Sequence, residues 1–485
     1  MTAHRPTAVI VLAAGGGTRM KSDTAKVLHP IGGRSLLRHA LTAARGTEPD
    51  HLVVVVRHDR ERIVDHVGVV DPMVVIADQD EVPGTGRAVE CGLAVLPADL
   101  EGTVVVTMGD VPLLTGETLR GLVAAHDETA SAVTVITASP ADPTGYGRIL
   151  RDDAGNVVAN VEHKDASDEQ RKIAEVNAGL YAFDVGVLRE ALTQVSNDNT
   201  QQERYLTDVL AVVHASGGKV TAHQLDDLWQ TEGVNDRVQL ARLGAELNRR
   251  TVEAWMREGV TVVDPRTTWI DADVSLGRDV TIQPQTQLLG ASTVGSGVTL
   301  GPDTTLTDVE IADGASVIRT QGSLAVIGAG ATVGPFAYLR PGTVLGVKGK
   351  IGTFVETKNT QIGDGAKVPH LSYVGDAEIG EGSNIGAGTI FANYDGVEKH
   401  HTTIGRHVKT GSHNVFVAPV RVGDGAATGG GAVVRRDVPP GALAVSTGPQ
   451  RHIEDWVQRK RPGTKAAEVA AAAAGEDSEE DQEPT

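Results

Sequence analysis

The stretch LAAGGGTRMKSDTAKVLHPIGG, residues 12–33, holds the residue types best suited to binding phosphate groups. Glycine lets a ligand approach the backbone closely, and free N–H groups beside Arg19 and Lys26 would attract anionic oxygens. Two familiar phosphate motifs do not fit. A dinucleotide fingerprint lacks its third glycine, since Met20 stands there, and a Walker loop lacks its GK[ST] ending. The stretch therefore predicts a phosphate site of another kind.

The composition limits the classes of partner. The 485 residues carry a net charge of −19, which argues against a general nucleic-acid binder and requires a local basic pocket for any anionic substrate. Cys91 is the single cysteine, which excludes disulfides and thiolate zinc sites and fits a reducing compartment. No apolar stretch reaches the length of a membrane span, and the first apolar run breaks into glycines as a strand would, unlike a signal peptide. We expect a cytoplasmic protein without nucleic-acid or membrane partners.

Short aliphatic runs alternate with helical patterns over residues 1–237. This alternation predicts an α/β domain with a mainly parallel, Rossmann-like sheet. Ligands of such sheets bind at the carboxyl ends of the strands, where both the opening stretch and Met108–Asp110 lie. The predicted strands are Ala8–Ala14, Leu52–Val56, Val104–Met108 and Ala132–Thr137, and the predicted helices are Ser35–Ala44, Thr85–Leu96 and Thr115–His126.

The period of the apolar residues changes after a predicted linker helix over residues 238–258. Over residues 259–450 an aliphatic residue recurs every six positions, which predicts a parallel β-helix whose repeats each bury one side chain. Phase slips at residues 347–360 and 392–403 predict loops that leave the coil. The series runs Ile270, Leu276, Ile282, Leu288, Val294, Leu300 and Leu306; Ile327, Val333, Leu339, Leu345 and Ile351; Ile362, Val368 and Val374; and Ile404, Thr410, Phe416, Val422, Thr428 and Val434.

Residues 451–485 form a separate C-terminal segment. From about residue 463 onward it is acidic and rich in alanine, and we expect a disordered tail because too little apolar surface is available for burial. Trp456 precedes this tail among several basic residues. It either anchors packing or covers a bound cofactor, and the sequence leaves both alternatives open.

Several motifs together resemble one enzyme family. LAAGGGTRM with Lys26 is similar to the signature of sugar-1-phosphate nucleotidyltransferases. With the further motifs and the hexapeptide repeats, the chain resembles the bacterial bifunctional N-acetylglucosamine-1-phosphate uridyltransferases and glucosamine-1-phosphate acetyltransferases over residues 8–461. Ala25 departs from the proline that is usual in the family. The further motifs are GTG at Gly84–Gly86, GYGRI at Gly145–Ile149 and VEHKD at Val161–Asp165.

For the α/β domain the resemblance implies transfer of a uridylyl group from UTP to N-acetylglucosamine 1-phosphate. Arg19, Lys26 and backbone amides of the glycine loop would stabilise the charge as pyrophosphate leaves. Asp110 and Asn235 would bind Mg²⁺ through oxygen atoms. The base would be read by Gln79, Gly84 and Thr85, and the sugar by Gly147, Glu162 and Asn177. The complete implied set is Leu12, Ala13, Ala14, Gly15, Lys26, Gln79, Gly84, Thr85, Gly109, Asp110, Gly147, Glu162, Asn177 and Asn235.

For the repeat half the resemblance implies a left-handed β-helix that acetylates glucosamine 1-phosphate with acetyl-CoA. His370, in KVPHLSYVGD, suits removal of a proton from the sugar ammonium before its nitrogen attacks the thioester. Glu356 is implied to orient that imidazole. Arg340 and Lys358 would hold the sugar phosphate, and Tyr373 and Asn384 the sugar. The residues implied to bind acetyl-CoA are Ala387, Asn393, Tyr394, Ser412, Gly430 and Trp456.

We therefore expect a bifunctional enzyme, and the family further implies a homotrimer. One alternative is a monofunctional sugar-1-phosphate nucleotidyltransferase with a structural β-helix, which does not account for HLSYVGD and NYDG. Another is a non-catalytic interaction protein. Its phosphate loop would be expected to degenerate, whereas Arg19, Lys26 and Asp110 are all present.

Overall fold

Aliphatic runs buried on both faces build the sheet of the α/β part. In the computed structural model, which describes residues 5–446 and 448–480, every residue of the first strand is buried. Such two-sided burial is typical of parallel strands covered by helices. The strands are β1 Ala8–Leu12, β2 Pro30–Ile31, β3 Arg34–Ser35, β4 His51–Val56, β5 Val75–Asp78, β6 Thr103–Met108, β7 Val133–Ala138, β8 Arg148–Arg151, β9 Val157–Val161, β10 Val176–Asp184 and β11 Val220–Gln224.

The main sheet has the order β11-β7-β10-β6-β1-β4-β5. Strand β1 lies between β4 and β6 and is parallel to both, whereas β10 runs antiparallel between β6 and β7. The predicted mainly parallel sheet is confirmed. Because β1, β4, β5 and β6 point the same way, their carboxyl ends share one edge.

Helices cover both faces of this sheet. Alternate residues of β1 enter different cores: Val9 and Val11 pack with the helices over residues 36–45, 60–70 and 116–129, and Ile10 packs with those over residues 85–94, 185–192 and 209–215. The helix that begins at Leu36 is capped, since the Ser35 hydroxyl accepts the backbone N–H of Arg38 at 3.0 Å. The helices are α1 Leu36–Arg45, α2 Arg60–Val70, α3 Thr85–Ala94, α4 Gly116–Thr129, α5 Val185–Leu192, α6 Val209–Ala215 and the linker α7 Arg237–Arg257.

The linker helix is bonded to the first coil of the repeat part. The buried Asn248 carboxamide donates to the Thr268 carbonyl at 2.8 Å and accepts the backbone N–H of Ile270 at 2.9 Å. The N–H of Ala272 also donates to the Gly32 carbonyl at 2.9 Å. The chain accordingly divides into two compact units at residues 1–359 and 360–485, within the repeat part and not at its start.

In the first unit the repeats form a parallel β-helix. Each strand pairs in parallel with the third strand after it, so that Ile282 lies beside Leu300, three hexapeptides further along the chain. Three strands therefore make one coil. The strands are β12 Thr261–Val262, β13 Trp269–Ile270, β14 Ser275–Leu276, β15 Thr281–Ile282, β16 Thr286–Leu289, β17 Thr293–Val294, β18 Thr299–Leu300, β19 Thr304–Thr307, β20 Glu310–Ile311, β21 Ser316–Val317, β22 Thr320–Ser323, β23 Val326–Ile327, β24 Thr332–Val333, β25 Ala337–Leu339, β26 Thr343–Leu345, β27 Lys350–Thr353 and β28 Glu356–Ile362.

The six-residue series is the inward face of the coils. All its members are buried except Leu276, which is half-buried. The loop predicted over residues 347–360 is wrong, because residues 350–353 and 356–360 of that segment lie in strands β27 and β28. Thr357 takes the inward place there, fully buried, and its hydroxyl is hydrogen-bonded to that of Thr343 at 2.9 Å. The repeat continues through this segment, but it was not recognised in the sequence because a threonine stands at the position of the aliphatic residue.

The second unit has the same kind of parallel pairing, with residues 377–379 beside residues 402–404 and residues 390–392 beside residues 415–417. The loop predicted over residues 392–403 is confirmed for residues 393–401, where Tyr394 and Lys399 form an antiparallel bridge and Val397 is 86% exposed. The strands are β29 Lys367–His370, β30 Tyr373–Ile379, β31 Ile390–Ala392, β32 Thr402–Ile404, β33 Val415–Val417, β34 Val420–Val422, β35 Ala427–Thr428, β36 Val433–Val434 and β37 Leu443–Ala444.

The C-terminal segment differs from its prediction. Helix α9 Lys465–Glu480 replaces most of the expected disordered tail, helix α8 Trp456–Lys460 precedes it, and residues 481–485 lie outside the described residues. Helix α9 contains a run of alanines, the residue with the highest helix propensity. This local preference favours a helix even though the segment has little apolar surface to bury. Among the helices of the described residues, none combines the length and apolar character needed to cross a membrane.

The inward stack generates a stability prediction. Leu306 is fully buried and stacks on Leu288 of the preceding coil. Leu306→Ala should lower the free energy of unfolding of the β-helix by about 2–5 kcal/mol, because the lost contacts leave a cavity. Urea unfolding followed by circular dichroism measures the change in midpoint. Thr305→Ala, on the half-buried outer side of the same strand, should shift the midpoint little, and equal midpoints for the two variants would contradict the assignment.

Candidate functional site

A cavity of about 320 Å³ opens at the shared carboxyl edge of β1, β4, β5 and β6. It combines the glycine loop after β1 with residues that follow the other three strands. Nine of the residues implied by the resemblance line it: Leu12, Ala13, Ala14, Gly15, Lys26, Gln79, Gly84, Thr85 and Asp110. The remaining lining residues are Gly16, Val27, Arg57, His58, Pro83, Ala88, Met108 and Glu203.

The glycine loop places Lys26 inside this cavity. Gly17 has a φ of 58°, and a Cβ at that position would lie 2.6 Å from the Lys26 Cβ. Glycine therefore permits both the left-handed backbone and the close approach of the lysine. Gly109 follows β6 beside this loop, and its N–H donates to the Leu12 carbonyl at 2.8 Å.

Two polar pairs join the residues predicted to bind phosphate and metal. The Lys26 ammonium forms an ion pair with the Asp110 carboxylate, and both side chains are mostly buried, at 15% and 17% exposure. Arg19 donates to the Asn235 Oδ1 at 2.8 Å. The N–H of Val234 donates to the Asp110 carbonyl at 2.9 Å, which holds Asn235 close to Asp110. The structure thus brings these four predicted residues together.

Residues after β5 form the part of the cavity predicted to read the base. The Gln79 side chain donates to the carbonyls of Val82 at 3.0 Å and Gly84 at 3.1 Å, which fixes its carboxamide. Gly84 has a φ of 118°, and a Cβ there would stand 2.3 Å from the Arg204 carbonyl oxygen. Only glycine fits this position without moving the backbone of either segment.

The residues predicted to bind the sugar form a second group: Gly147 precedes β8, Glu162 follows β9, and Asn177 lies on β10. The Asn177 N–H donates to the Gly147 carbonyl at 3.0 Å, and its side chain donates to the Tyr181 hydroxyl at 2.6 Å. The Glu162 Oε1 accepts from the Asn160 carboxamide at 3.0 Å and the Thr207 hydroxyl at 3.2 Å. Burial raises the pKa of the Glu162 carboxyl, and these two hydrogen bonds oppose the rise.

One segment, residues 203–208, contacts both groups. The Arg204 backbone packs on Gly84, and the Leu206 N–H donates to the Thr85 hydroxyl at 3.0 Å. Further along, Thr207 donates to Glu162, and burial together with the charge of Glu162 raises the pKa of Asp208 to about 6. The segment therefore connects the residues predicted to read the base with those predicted to bind the sugar.

In the first unit, three predicted acetyltransferase residues lie together on β25 and β28. The Arg340 guanidinium donates to Glu356 Oε1 at 2.9 Å. The strand register places Tyr338 beside Glu356 and Leu339 beside Thr357, and therefore Arg340 beside Lys358. Glu356 and Lys358 flank the inward Thr357, so both side chains leave the coil on its outer side. This arrangement presents two cations and a carboxylate.

In the second unit, His370 ends β29 and is exposed, while its carbonyl accepts the Ser372 hydroxyl at 2.8 Å. Asn393 donates from its carboxamide to the Tyr373 hydroxyl at 3.5 Å and also to Asp376. The predicted action of Glu356 on His370 joins residues of two units and stays a prediction. Asn384 is an exposed residue whose N–H donates to the Val408 carbonyl at 2.8 Å, and its predicted contact with the sugar also stays a prediction.

Residues implied to bind acetyl-CoA stack on successive coils of the second unit. The N–H after Ser412 donates to the Ala387 carbonyl at 2.7 Å, and the N–H after Gly430 donates to the Ser412 carbonyl at 2.8 Å. Small residues thus line one edge of three coils. Tyr394 is 59% exposed on the loop at residues 393–401, and Trp456 is 40% exposed with the Arg461 guanidinium 5.2 Å above its ring.

Sequence reasoning missed several residues of both groups. Arg57 and His58 line the cavity directly after β4, and this position at the carboxyl edge was the signal that could have identified them. Asn160, Thr207 and Asp208 surround Glu162, but they carry no recognisable motif, and only the fold brings them there.

Comparison with known proteins assigns the chain to a family. Residues 9–174 match the MobA-like NTP transferase domain family. The bifunctional protein GlmU of Pseudarthrobacter chlorophenolicus is 63% identical over 470 residues, which cover 96% of either chain. The chain belongs to the GlmU family. The GlmU proteins of Kineococcus radiotolerans and Rhodococcus opacus are each 62% identical and cover 96% of this chain and 95% of their own length. The resemblance inferred from the motifs is confirmed.

The close packing of Gly84 generates a prediction. Gly84→Ala should raise the KM for UTP at least about tenfold and lower the melting temperature, because the new Cβ meets the Arg204 carbonyl and the backbone has a positive φ. Steady-state uridylyl transfer and thermal unfolding measure the two effects. Gly68→Ala, in the middle of α2 with open space around its Cβ position, is the matched control and should leave both values unchanged or raise stability slightly.

The carboxyl of Asp208 generates a pH prediction. Its pKa is 3.8 when unfolded and about 6 when folded, so the folded chain keeps a proton that the unfolded chain releases. Its favourable contribution is complete below pH 3.8 and is lost as the pH rises through about 6. Asp208→Asn should therefore melt at a higher temperature than the wild type above pH 6 and at a similar one near pH 4, as measured by thermal scans. The exposed Asp198→Asn should show no such difference, and an Asp208→Asn variant that melts lower at pH 8 would refute the prediction.

Proposed function

We propose that the chain makes UDP-N-acetylglucosamine in two steps at separate sites. Acetyl-CoA and glucosamine 1-phosphate give N-acetylglucosamine 1-phosphate on the β-helix. That product and UTP then give UDP-N-acetylglucosamine and pyrophosphate in the α/β cavity. The GlmU relatives support both activities, and their description as bifunctional disfavours the monofunctional alternative. As a nucleotide sugar, the product would supply cell-wall synthesis from the cytoplasm.

The observation that carries the uridylyl step is the convergence of a glycine loop, Lys26 and Asp110 in one cavity. The sugar phosphate oxygen attacks the α-phosphorus of UTP, and the bond from that phosphorus to the pyrophosphate oxygen breaks. Charge then grows on the departing pyrophosphate. Lys26, Arg19 and the loop amides would neutralise it, and this reaction needs positioning and charge stabilisation more than covalent help.

Asp110 and Asn235 fit a magnesium ion. One carboxylate and one amide oxygen are hard donors, and Mg²⁺ is usually bound by one or two such groups together with substrate phosphates. Within the described residues no group of three or more His, Cys, Asp or Glu side chains is placed to hold a metal, so the protein would supply only part of the coordination. When bound, the ion would draw charge from the phosphate oxygens.

For the acetyl step, His370 would take a proton from the ammonium of glucosamine 1-phosphate. The freed amine attacks the thioester carbonyl, and coenzyme A leaves as a thiol. Arg340 and Lys358 would hold the phosphate, Tyr373 and Asn384 the sugar, and the small residues Ala387, Ser412 and Gly430 would let coenzyme A lie against the coils.

We also propose a homotrimer assembled through the β-helix. Phe336 and Phe354 support it: they stack at 5.4 Å on successive coils while 50% and 58% exposed, an apolar surface unusual outside an interface. A neighbouring chain's C-terminal segment, including Trp456, would complete the acetyl-transfer site.

The two sites should be separable by mutation. His370→Ala should slow thiol release about 10²–10⁴-fold while uridylyl transfer to supplied N-acetylglucosamine 1-phosphate stays near that of the wild type, because the general base is lost. Asp110→Asn should do the reverse. The assay incubates purified protein with glucosamine 1-phosphate, acetyl-CoA, UTP and Mg²⁺, and follows UDP-sugar and free thiol together.

His401→Ala, an exposed histidine of the same unit, is the matched control and should retain both activities. Circular dichroism checks that each variant is folded. If either His370→Ala or Asp110→Asn lost both activities while folded, the proposal of two independent sites would be wrong.

A further inference from the structure

The cavity contains a cation that the reaction described above does not use. Arg57 follows β4 directly, is half-buried, and lines the cavity together with the glycine loop and Gln79. Neither the glycine motif nor the GTG motif includes it. Its position is set by the sheet, and the register of the neighbouring strands locates it.

Strand β4 lies between β1 and β5. Leu12 pairs with Val55, and Val56 pairs with Asp78, so the next residue, Arg57, is level with Ala14 on one side and Gln79 on the other. Ala14 begins the glycine loop, and Gln79 belongs to the base-reading part. Arg57 therefore lies between the two ends of the cavity, where the phosphate chain of a nucleotide would cross.

The guanidinium of Arg57 forms no close ion pair within the described residues, although its charge, as the last of several causes, helps to lower the pKa of the Asp80 carboxyl. Its Nη2 donates to the backbone carbonyl of Glu81 at 3.2 Å, and no carboxylate of the described residues lies within ion-pair distance of it. Lys26, by contrast, is paired with Asp110. A guanidinium has five N–H donors, and the contact with Glu81 leaves most of them available for phosphate oxygens.

We propose that Arg57 binds the phosphate chain of the nucleoside triphosphate and sets the preference of the cavity for the fully charged nucleotide. This inference rests on the proposed uridylyl transfer. The other charged lining residues, apart from His58, are Lys26, Asp110 and Glu203, which carry more negative than positive charge. Arg57 would offset this excess of negative charge and so allow an anionic ligand to bind.

The test is calorimetric titration of UTP with Mg²⁺ into the full-length chain. Arg57→Gln retains an N–H donor for the Glu81 carbonyl but removes the charge. It should raise the Kd for UTP about 10- to 100-fold, the loss expected for a hydrogen bond to a charged group. In the enzyme assay the KM for N-acetylglucosamine 1-phosphate should change less than about twofold. Arg57→Lys should recover part of the UTP affinity, because it keeps the charge but not the planar fork.

Arg189→Gln is the matched control. Arg189 is likewise half-buried and donates to backbone carbonyls, those of Pro97 at 2.7 Å and Ala98, and the substitution makes the same change in net charge. It should bind UTP like the wild type. If Arg57→Gln bound UTP as Arg189→Gln does, or weakened UTP and sugar phosphate equally, the inference would be overturned. A wild-type chain that binds no UTP would refute the proposed function instead. Should Arg57→Gln fail to fold by circular dichroism, unchanged UTP affinity in Arg57→Lys would overturn the inference.

Discussion

The ion pair between Lys26 and Asp110 joins the loop after β1 to the turn after β6, and the cavity is built around it. Both side chains have little contact with water, so removing one partner would leave the other charge poorly solvated, which is costly. The pair also constrains binding. In the proposed reaction a phosphate would interact with Lys26 and a cation with Asp110, so that substrate charges would replace the charges of the protein. Charge compensation is then kept throughout binding.

The parallel arrangement of four strands determines which groups meet at this edge. Strand β1 contributes backbone amides, β4 a guanidinium at Arg57, β5 the carboxamide of Gln79, and β6 the carboxylate of Asp110. The residues predicted to bind the sugar lie on or beside other strands, and residues 203–208 connect them to the loop predicted to read the base. A change in the backbone at Arg204 would therefore disturb both parts, because the same segment packs on Gly84 and carries Thr207 to Glu162.

Local patterns predicted most of the fold. The glycine loop, the alternating strands and the six-residue series each depend on residues close in sequence, and all three are in the structure. Tertiary contacts set the remainder. Thr357 interrupts the aliphatic series, because a buried hydroxyl finds its partner in Thr343 of the preceding coil. Asn160 reaches Glu162, and Arg57 reaches the cavity, only through strand pairing. The helix over Lys465–Glu480 follows from alanine propensity, which a burial argument ignores.

The two parts of the chain differ in how far their chemistry could be inferred without a family resemblance. In the α/β part, the position of a residue after a strand already indicates the ligand edge, so Asp110 could be identified from the strand alone. In the β-helix, the inward side chains determine the six-residue repeat, and the repeat does not predict what the outward side chains do. Glu356 and Lys358 leave the coil on either side of a buried threonine, as residues without a function also would, so their spacing carries no functional signal. Motif resemblance was therefore needed for the acetyl site, whereas general geometry sufficed for the nucleotide cavity.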